Sequence, residues 1–505
     1  MAEGIKQLAK NTVLYGLSSI VGRALNWLLV PMYVRVLANP GEYGVVTNIY
    51  GWSALLLVLL TYGMETGFFR FINKKEEENP MRVYSTTLKS IGVTSLLFFV
   101  LILLFLYPVS SGLGYASNPE FIGMMAGIVA LDAFCCIPFA YLRYQNRPLR
   151  FAGLKLFSIF LNIFLNIFFL IVCPWLNEAA PETIGWFYVP GYGVGYIFIS
   201  NVITTLVTFI LLLPDFMPGL REKADWNILR KMIAYSFPIL ILGIAGILNQ
   251  TVDKILFPFL FDDRAYADEQ LGIYGACFKI AVIMIMFTQA FRYAYEPLIF
   301  AKHKEETDKR GYVEAMKYFI IFGLLIFLGV TFYLDILKYF VGPAYYSGLS
   351  VVPIVMIGEL FFGIYFNLSL WYKLTDQTQW GAYFSIAGCA ITVAIILLFV
   401  PVYGFMACAW ASFVCNLVMM ILSYFVGQQK FPVEYDLKSA ALYFLLAAVV
   451  YVAGILPEIE SEVLRLSYRT ILLAIFVLYI IKKDLPLKEI PYINRFIKRQ
   501  NEINN

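Results

Sequence analysis

Charge is what this chain has least of. Only 14% of its 505 residues are Asp, Glu, Lys or Arg, and 60% are hydrophobic, whereas a soluble globular chain carries roughly 25% charged residues. That balance excludes a water-soluble domain. There is one histidine, His303, in a lysine-rich loop, so no histidine serves metal binding or acid–base chemistry inside the apolar runs. The seven cysteines (135, 136, 173, 277, 389, 408, 415) fall within those runs and show neither metal-ligand nor disulfide spacing. Connections between runs are short, which leaves no room for a soluble catalytic domain. The composition points away from an enzyme and implies no metal or cofactor.

What is present is a long succession of apolar runs. A transmembrane helix needs ~20 predominantly apolar residues to cross ~30 Å of hydrocarbon. The runs predict helices near 11–37, 45–72, 84–108, 120–143, 151–175, 186–213, 229–258, 271–299, 313–335, 349–371, 381–400, 404–427, 437–456 and 467–482. The fold class is therefore an all-α integral membrane protein of about fourteen helices. The first run is long and carries Arg23, so it reads as a membrane helix and not as a cleaved leader. Lys74, Lys75, Arg143, Arg147, Arg150, Arg230, Lys231 and the basic tail fall on one side. Only Lys254, Arg264, Lys338, Arg465 and Arg469 fall on the other. The excess of bases marks the cytoplasmic side and places both termini there.

The second half repeats the first at an offset of about 227 residues. LDAFCCIPFAYLRYQNRPLRFAGLKLFS (131–158) aligns without gaps to GELFFGIYFNLSLWYKLTDQTQWGAYFS (358–385), and GVVTNIYG after Tyr43 meets GIYGACFK at 272–279. Six helices per copy is even, so the copies share one topology, related by an axis along the membrane normal. Expected domains are an N-lobe over 1–220 and a C-lobe over 221–430. Two further helices and a basic tail occupy 431–505.

Ionisable groups deep in lipid are costly and mark function or pairing. The deep bases are Arg23, Arg35, Lys279 and Arg292; the deep acids are Glu65, Asp132, Asp253, Glu296 and Glu359. Asp132 stands opposite Glu359 in the repeat, so each lobe carries one acid at an equivalent depth. Arg70 and Lys89 lie near helix ends, where a long side chain reaches the interface. Arg292 and Glu296, four apart, can pair with each other. Asn249 with Asp253, and Asn162 with Asn166, form polar faces suited to interhelical hydrogen bonds.

KNTVLYGLSSIVGRALNWLLVPMYVRVLANPGEYG, VDKILF followed by LGIYG, FRYAYEP and VGPAYYSGLSVVPIV occur in this order across the chain. In these the sequence resembles the polysaccharide flippase family of the multidrug/oligosaccharidyl-lipid/polysaccharide exporter superfamily. The resemblance implies two six-helix lobes around a central cavity in a bacterial cytoplasmic membrane. It implies transfer of an undecaprenyl-diphosphate-linked oligosaccharide to the outer leaflet for O-antigen, capsule or another surface polysaccharide, with polymerase machinery downstream. It also implies that Arg23, Arg35, Lys279 and Arg292 hold the diphosphate. Glu65, Asp132, Asp253 and Glu359 are then cavity acids or sites for a coupling H+ or Na+, a departure from a purely cationic cavity. The competing reading is a cation-coupled multidrug and toxin extrusion antiporter of the same fold.

Overall fold

The computed structural model describes residues 21–73, 79–302, 309–375 and 377–484, the side chains of 296–302 excepted. Lys74, Lys75, His303, the side chain of Glu296, the tail beyond Asp484 and the start of the helix expected over 11–37 lie outside the described residues. The first helix, α1, is described from residue 21 and is helical at 21–27 and over Val30–Val36. After it, thirteen helices among the described residues are long and apolar enough to cross a membrane. They are α2 (Pro40–Ile72), α3 (Pro80–Leu104), α4 (Pro119–Tyr144), α5 (Pro148–Ala179), α6 (Gly193–Leu211), α7 (Trp226–Phe259) and α8, which runs Arg264–Lys302. Next come α9 (Arg310–Phe332), α10 (Val351–Leu374), α11 (Gln379–Tyr403), α12 (Phe405–Lys430), α13 (Leu437–Ile455) and α14 (Glu462–Lys483). The expected all-helical membrane fold is what forms.

Local sequence explains where the helices start and bend. Proline occupies the first position of α2, α3, α4 and α5, where its missing N–H costs nothing and its φ suits the helix. Asn39 and Asn79 accept from backbone N–H groups of the first turns of α2 and α3, and Asp225 does so for α7, supplying partners that the helix lacks. Pro138, Pro238 and Pro401 sit inside α4, α7 and α11, each removing one ladder bond. A break in α2 comes at Tyr62 and Gly63, both left-handed.

Two compact units emerge. Of the described residues, one unit holds those up to Ala294 together with those of Phe340–Gly427, and the other holds those of Tyr295–Tyr339 and those from Gln428 onward. The smaller unit gathers α9, α13 and α14. Asp335 accepts from Arg465 at 2.9 Å and from Arg469 at 2.8 Å, and Arg469 also donates to the Gly454 carbonyl at 3.0 Å. Arg465 and Arg469 belong to α14 itself and not to the loop before it, so these bases brace helices. At the other end, Asp484 accepts from Lys317 and Tyr443. Burial works against the charge on Asp484, but these two donors outweigh it and hold the carboxyl below its usual range.

In the larger unit, α2 crosses α8 at backbone contact. A Cβ added at Gly44 would lie 1.8 Å from the Asp268 carbonyl oxygen, and one added at Gly272 would lie 1.8 Å from the Pro40 oxygen. Each glycine meets the carbonyl four residues before the other. The contact is reciprocal between the two glycines that the repeat aligns, as a two-fold crossing requires. Only a residue without a side chain fits at either position.

Gly44→Ala or Gly272→Ala should therefore destabilise the protein by about 1–3 kcal/mol, read as a lower melting temperature in detergent. Gly246→Ala, where an added methyl meets nothing within 4 Å, should leave melting unchanged or raise it. Equal melting of the Gly44 variant and the parent would contradict a fixed crossing.

Candidate functional site

Next to the crossing lies a cavity of about 380 Å³. The first half of the chain supplies Asn26 and Tyr33 from α1, Thr47 and Tyr50 from α2, Asn162 from α5 and Asn201 from α6. The second half supplies Thr251 and Lys254 from α7, with Phe278 and Lys279 from α8. One wall is neutral and rich in hydrogen-bonding groups. The other is cationic.

A continuous chain of hydrogen bonds holds the neutral wall. Tyr33 O–H donates to Asn166 Oδ1 at 2.9 Å, and Asn166 Nδ2 donates to the Asn162 carbonyl at 2.8 Å. Asn162 Nδ2 donates to Asn201 Oδ1 at 2.6 Å, and Asn201 Nδ2 donates to the Tyr50 hydroxyl oxygen at 2.7 Å. The interhelical role expected of Asn162 and Asn166 is thus met. A π-helical turn over Phe168–Val172 follows directly on this stretch of α5. Polar chains that are satisfied within a low-dielectric interior are rigid. The Tyr50 proton finds no acceptor among the described residues.

Lys254 anchors the cationic wall. Its Nζ lies 3.1 Å from both carboxylate oxygens of Asp253, donates to the Gln250 carbonyl at 2.9 Å and sits 4.3 Å from the Phe278 ring centre. Tyr274 O–H donates to Asp253 Oδ2 at 2.7 Å. The side chains of Lys254 and Asp253 keep only 15% and 10% of their exposure. Asn48 fixes this end of α7 by donating to the Lys254 carbonyl at 2.6 Å, one of the carbonyls a helix end leaves unpaired. Tyr115 in turn donates to Asn48 Oδ1 at 2.8 Å. Glu359, on α10, brings a second carboxylate within electrostatic range of Lys254. Lys279 is half-buried and has no ion pair among the described residues, while its carbonyl accepts from Trp27 Nε1 at 2.6 Å.

Lys254 was missed as a site residue because sequence placed it among the loop bases. It lies within the last turn of the α-helix Trp226–Leu256, and the available signal was its position beside Asp253. Of the four expected substrate-binding bases, Lys279 alone lines this cavity. Arg23 is exposed one turn before Asn26. Arg35 is exposed and donates to the Pro31 carbonyl at 2.7 Å, and Arg292 stands 4.6 Å from the Phe366 ring centre. Among the acids, Glu65 pairs with Arg143 and Asp253 with Lys254. Asp132 lines a second cavity of about 190 Å³ that shares Tyr50 and Asn201 with the first. Asp132 and Glu359 are thus placed in different surroundings: one lines a cavity, and the other lies within electrostatic range of the Asp253–Lys254 pair. Arg70 lies over the Tyr235 ring at 4.0 Å.

These features define a multi-pass helical membrane protein with a transporter fold. A family model described as polysaccharide biosynthesis protein matches residues 8–300, and the chain belongs to that family. Its fold is similar to "Lipid II flippase MurJ, inward closed conformation", with TM-score 0.70 and 13% identity over 93% of this chain and 99% of that one. It is also similar to an inward-facing multidrug resistance MATE family transporter of the MOP superfamily, with TM-score 0.60 and 12% identity over 83% and 94% of the two chains. A MATE structure in the bent conformation matches with TM-score 0.55 and 12% identity over 88% and 99%. No curated protein matches the chain significantly.

Lys254→Met should cost up to about 3 kcal/mol, because it leaves the Asp253 carboxylate nearly buried and unpaired. Adding Asp253→Asn should restore most of the loss. A double variant melting as low as the single one would show that the pair itself is not what stabilises this end of α7.

Proposed function

We propose that this chain is a flippase that moves undecaprenyl-diphosphate-linked oligosaccharide from the cytoplasmic to the outer leaflet for surface polysaccharide biosynthesis. The observation that carries the reading is one cavity with a cationic wall facing an amide and phenol wall. Lys254 and Lys279 offer charge-assisted donors to a diphosphate. Asn26 and Tyr50 face the sugar with hydrogen-bonding capacity to spare. Arg23 and Arg292 meet the headgroup on its way in. The lobes over 1–220 and 221–430 rock about the α2–α8 crossing, which closes the outer side while both termini face the cytoplasm of a bacterial cell. Polymerase machinery consumes the product.

Asp253 and Glu359 offset Lys254 and Lys279 one for one. Binding a diphosphate is therefore aided when a proton or Na+ neutralises one of these two acids, Asp253 or Glu359. The same acids are the feature that favours the second reading, a multidrug antiporter taking organic cations; the two lysines in the cavity oppose it.

The test is binding of farnesyl-diphosphate-linked N-acetylglucosamine to the full-length protein in detergent. Lys279→Gln should weaken it by about tenfold or more, ~1.4 kcal/mol, with no loss of melting temperature. Glu359→Gln should strengthen it at neutral pH. Undiminished binding to the Lys279 variant would overturn the assignment. Binding of tetraphenylphosphonium that depends on Glu359 would favour the antiporter.

A further inference from the structure

We propose that the cavity at Asp132 is a sugar subsite, distinct from the diphosphate site, that accepts a neutral or amino sugar distal to the lipid and rejects a uronate there. The inference rests on the flippase reading above.

The two cavities are neighbours through a shared wall. Tyr50 and Asn201 line both, and they are hydrogen-bonded to each other at 2.7 Å. Lys254 and Lys279 line only the larger cavity, and Asp132 lines only the smaller. A headgroup whose diphosphate sits on the lysines therefore extends past Tyr50 toward Asp132. Charge changes sign along that path, from cationic to anionic.

Polar capacity in the smaller cavity is unspent at two places. Asp132 Oδ1 receives one long bond, from Thr205 Oγ1 at 3.5 Å, and the carboxylate forms no ion pair among the described residues. Lys155, the cation acting on it electrostatically, is held over the Phe139 ring at 4.0 Å. The other place is the Tyr50 hydroxyl, which accepts from Asn201 and keeps its own proton to donate. A carboxylate acceptor and a phenol donor, backed by apolar Ala54, Leu57 and Val129, suit the hydroxyls and C–H faces of a pyranose. Because Asn201 is itself held by Asn162, the donor is set before the sugar arrives, which lowers the cost of ordering it. A second carboxylate brought against Asp132 meets like charge at close range. Neutral sugars meet no such penalty, and an ammonium gains from the same charge.

The experiment uses full-length protein in detergent and three farnesyl-diphosphate compounds: the N-acetylglucosamine monosaccharide, and disaccharides extended by glucose or by glucuronate. The parent protein should bind the glucose compound about tenfold tighter than the glucuronate one. Asp132→Asn should bring the two within about twofold and leave the monosaccharide affinity unchanged. Ala54→Leu, which fills the smaller cavity, should lower the glucose compound to the affinity of the monosaccharide. Discrimination that persists in Asp132→Asn, or monosaccharide binding lost along with it, would overturn the subsite. Lys279-dependent binding of all three compounds with no distal preference would defeat the subsite alone. No Lys279-dependent binding of any would defeat the flippase reading as well.

Discussion

Everything in the larger unit hangs on two backbones touching where α2 crosses α8. With Gly44 and Gly272 each pressed on the carbonyl of the opposite helix, the helices meet as closely as polypeptide permits. Lipid offers no hydrophobic drive between helices, so such contact is carried by dispersion and fit. The residues that follow along each helix are then placed without freedom: Thr47, Tyr50 and Gly51 on α2, and Gly275, Phe278 and Lys279 on α8. These are the cavity's walls. Asn48, on the same stretch of α2, reaches the end of α7 and fixes Lys254. One contact thus sets the closed end of the cavity and the position of its cations.

Pairing distinguishes several of the charges from Lys279 and Asp132. Glu65 with Arg143, Asp253 with Lys254, and Asp335 with two arginines are matched on neighbouring helices or residues, and for the nearly buried Asp253–Lys254 pair this is how a low-dielectric interior tolerates ionised groups. Lys279 and Asp132 have no ion pair among the described residues, and each lines a cavity. Unpaired charge is costly unless water or a ligand meets it. At both positions a cavity gives a polar ligand access to the charge.

Much of this was legible in the sequence. The length and spacing of the apolar runs specify the helices, since a membrane leaves the backbone few other options. The alignment that sets GVVTNIYG against GIYGACFK pairs the two glycines that touch. The site was less legible. Depth along a helix can be counted, but the direction of a side chain around it depends on which neighbour it packs against. Arg23 is as deep by position as Lys279, yet it does not line the cavity. Lys254 was hidden for the opposite reason: near a helix end it counts as a loop base, although the end is buried against Asn48. The amide chain from Tyr33 to Tyr50 joins four helices, and no local spacing reveals it beyond the Asn162–Asn166 pair.

A duplicated scaffold offers two equivalent walls, and equivalent walls bind a symmetric ligand best. Here the scaffold's crossing stays reciprocal while its lining does not: amides and phenols face the cavity from one half, lysines with carboxylates behind them from the other. Such a cavity has a polarity of its own, and it orients a ligand that is anionic at one end and hydroxylated at the other. A compact organic cation gains nothing from that polarity, because either orientation leaves it beside ammonium groups. The asymmetry of the lining is therefore the strongest physical reason for the proposal that the ligand is an elongated, amphiphilic anion.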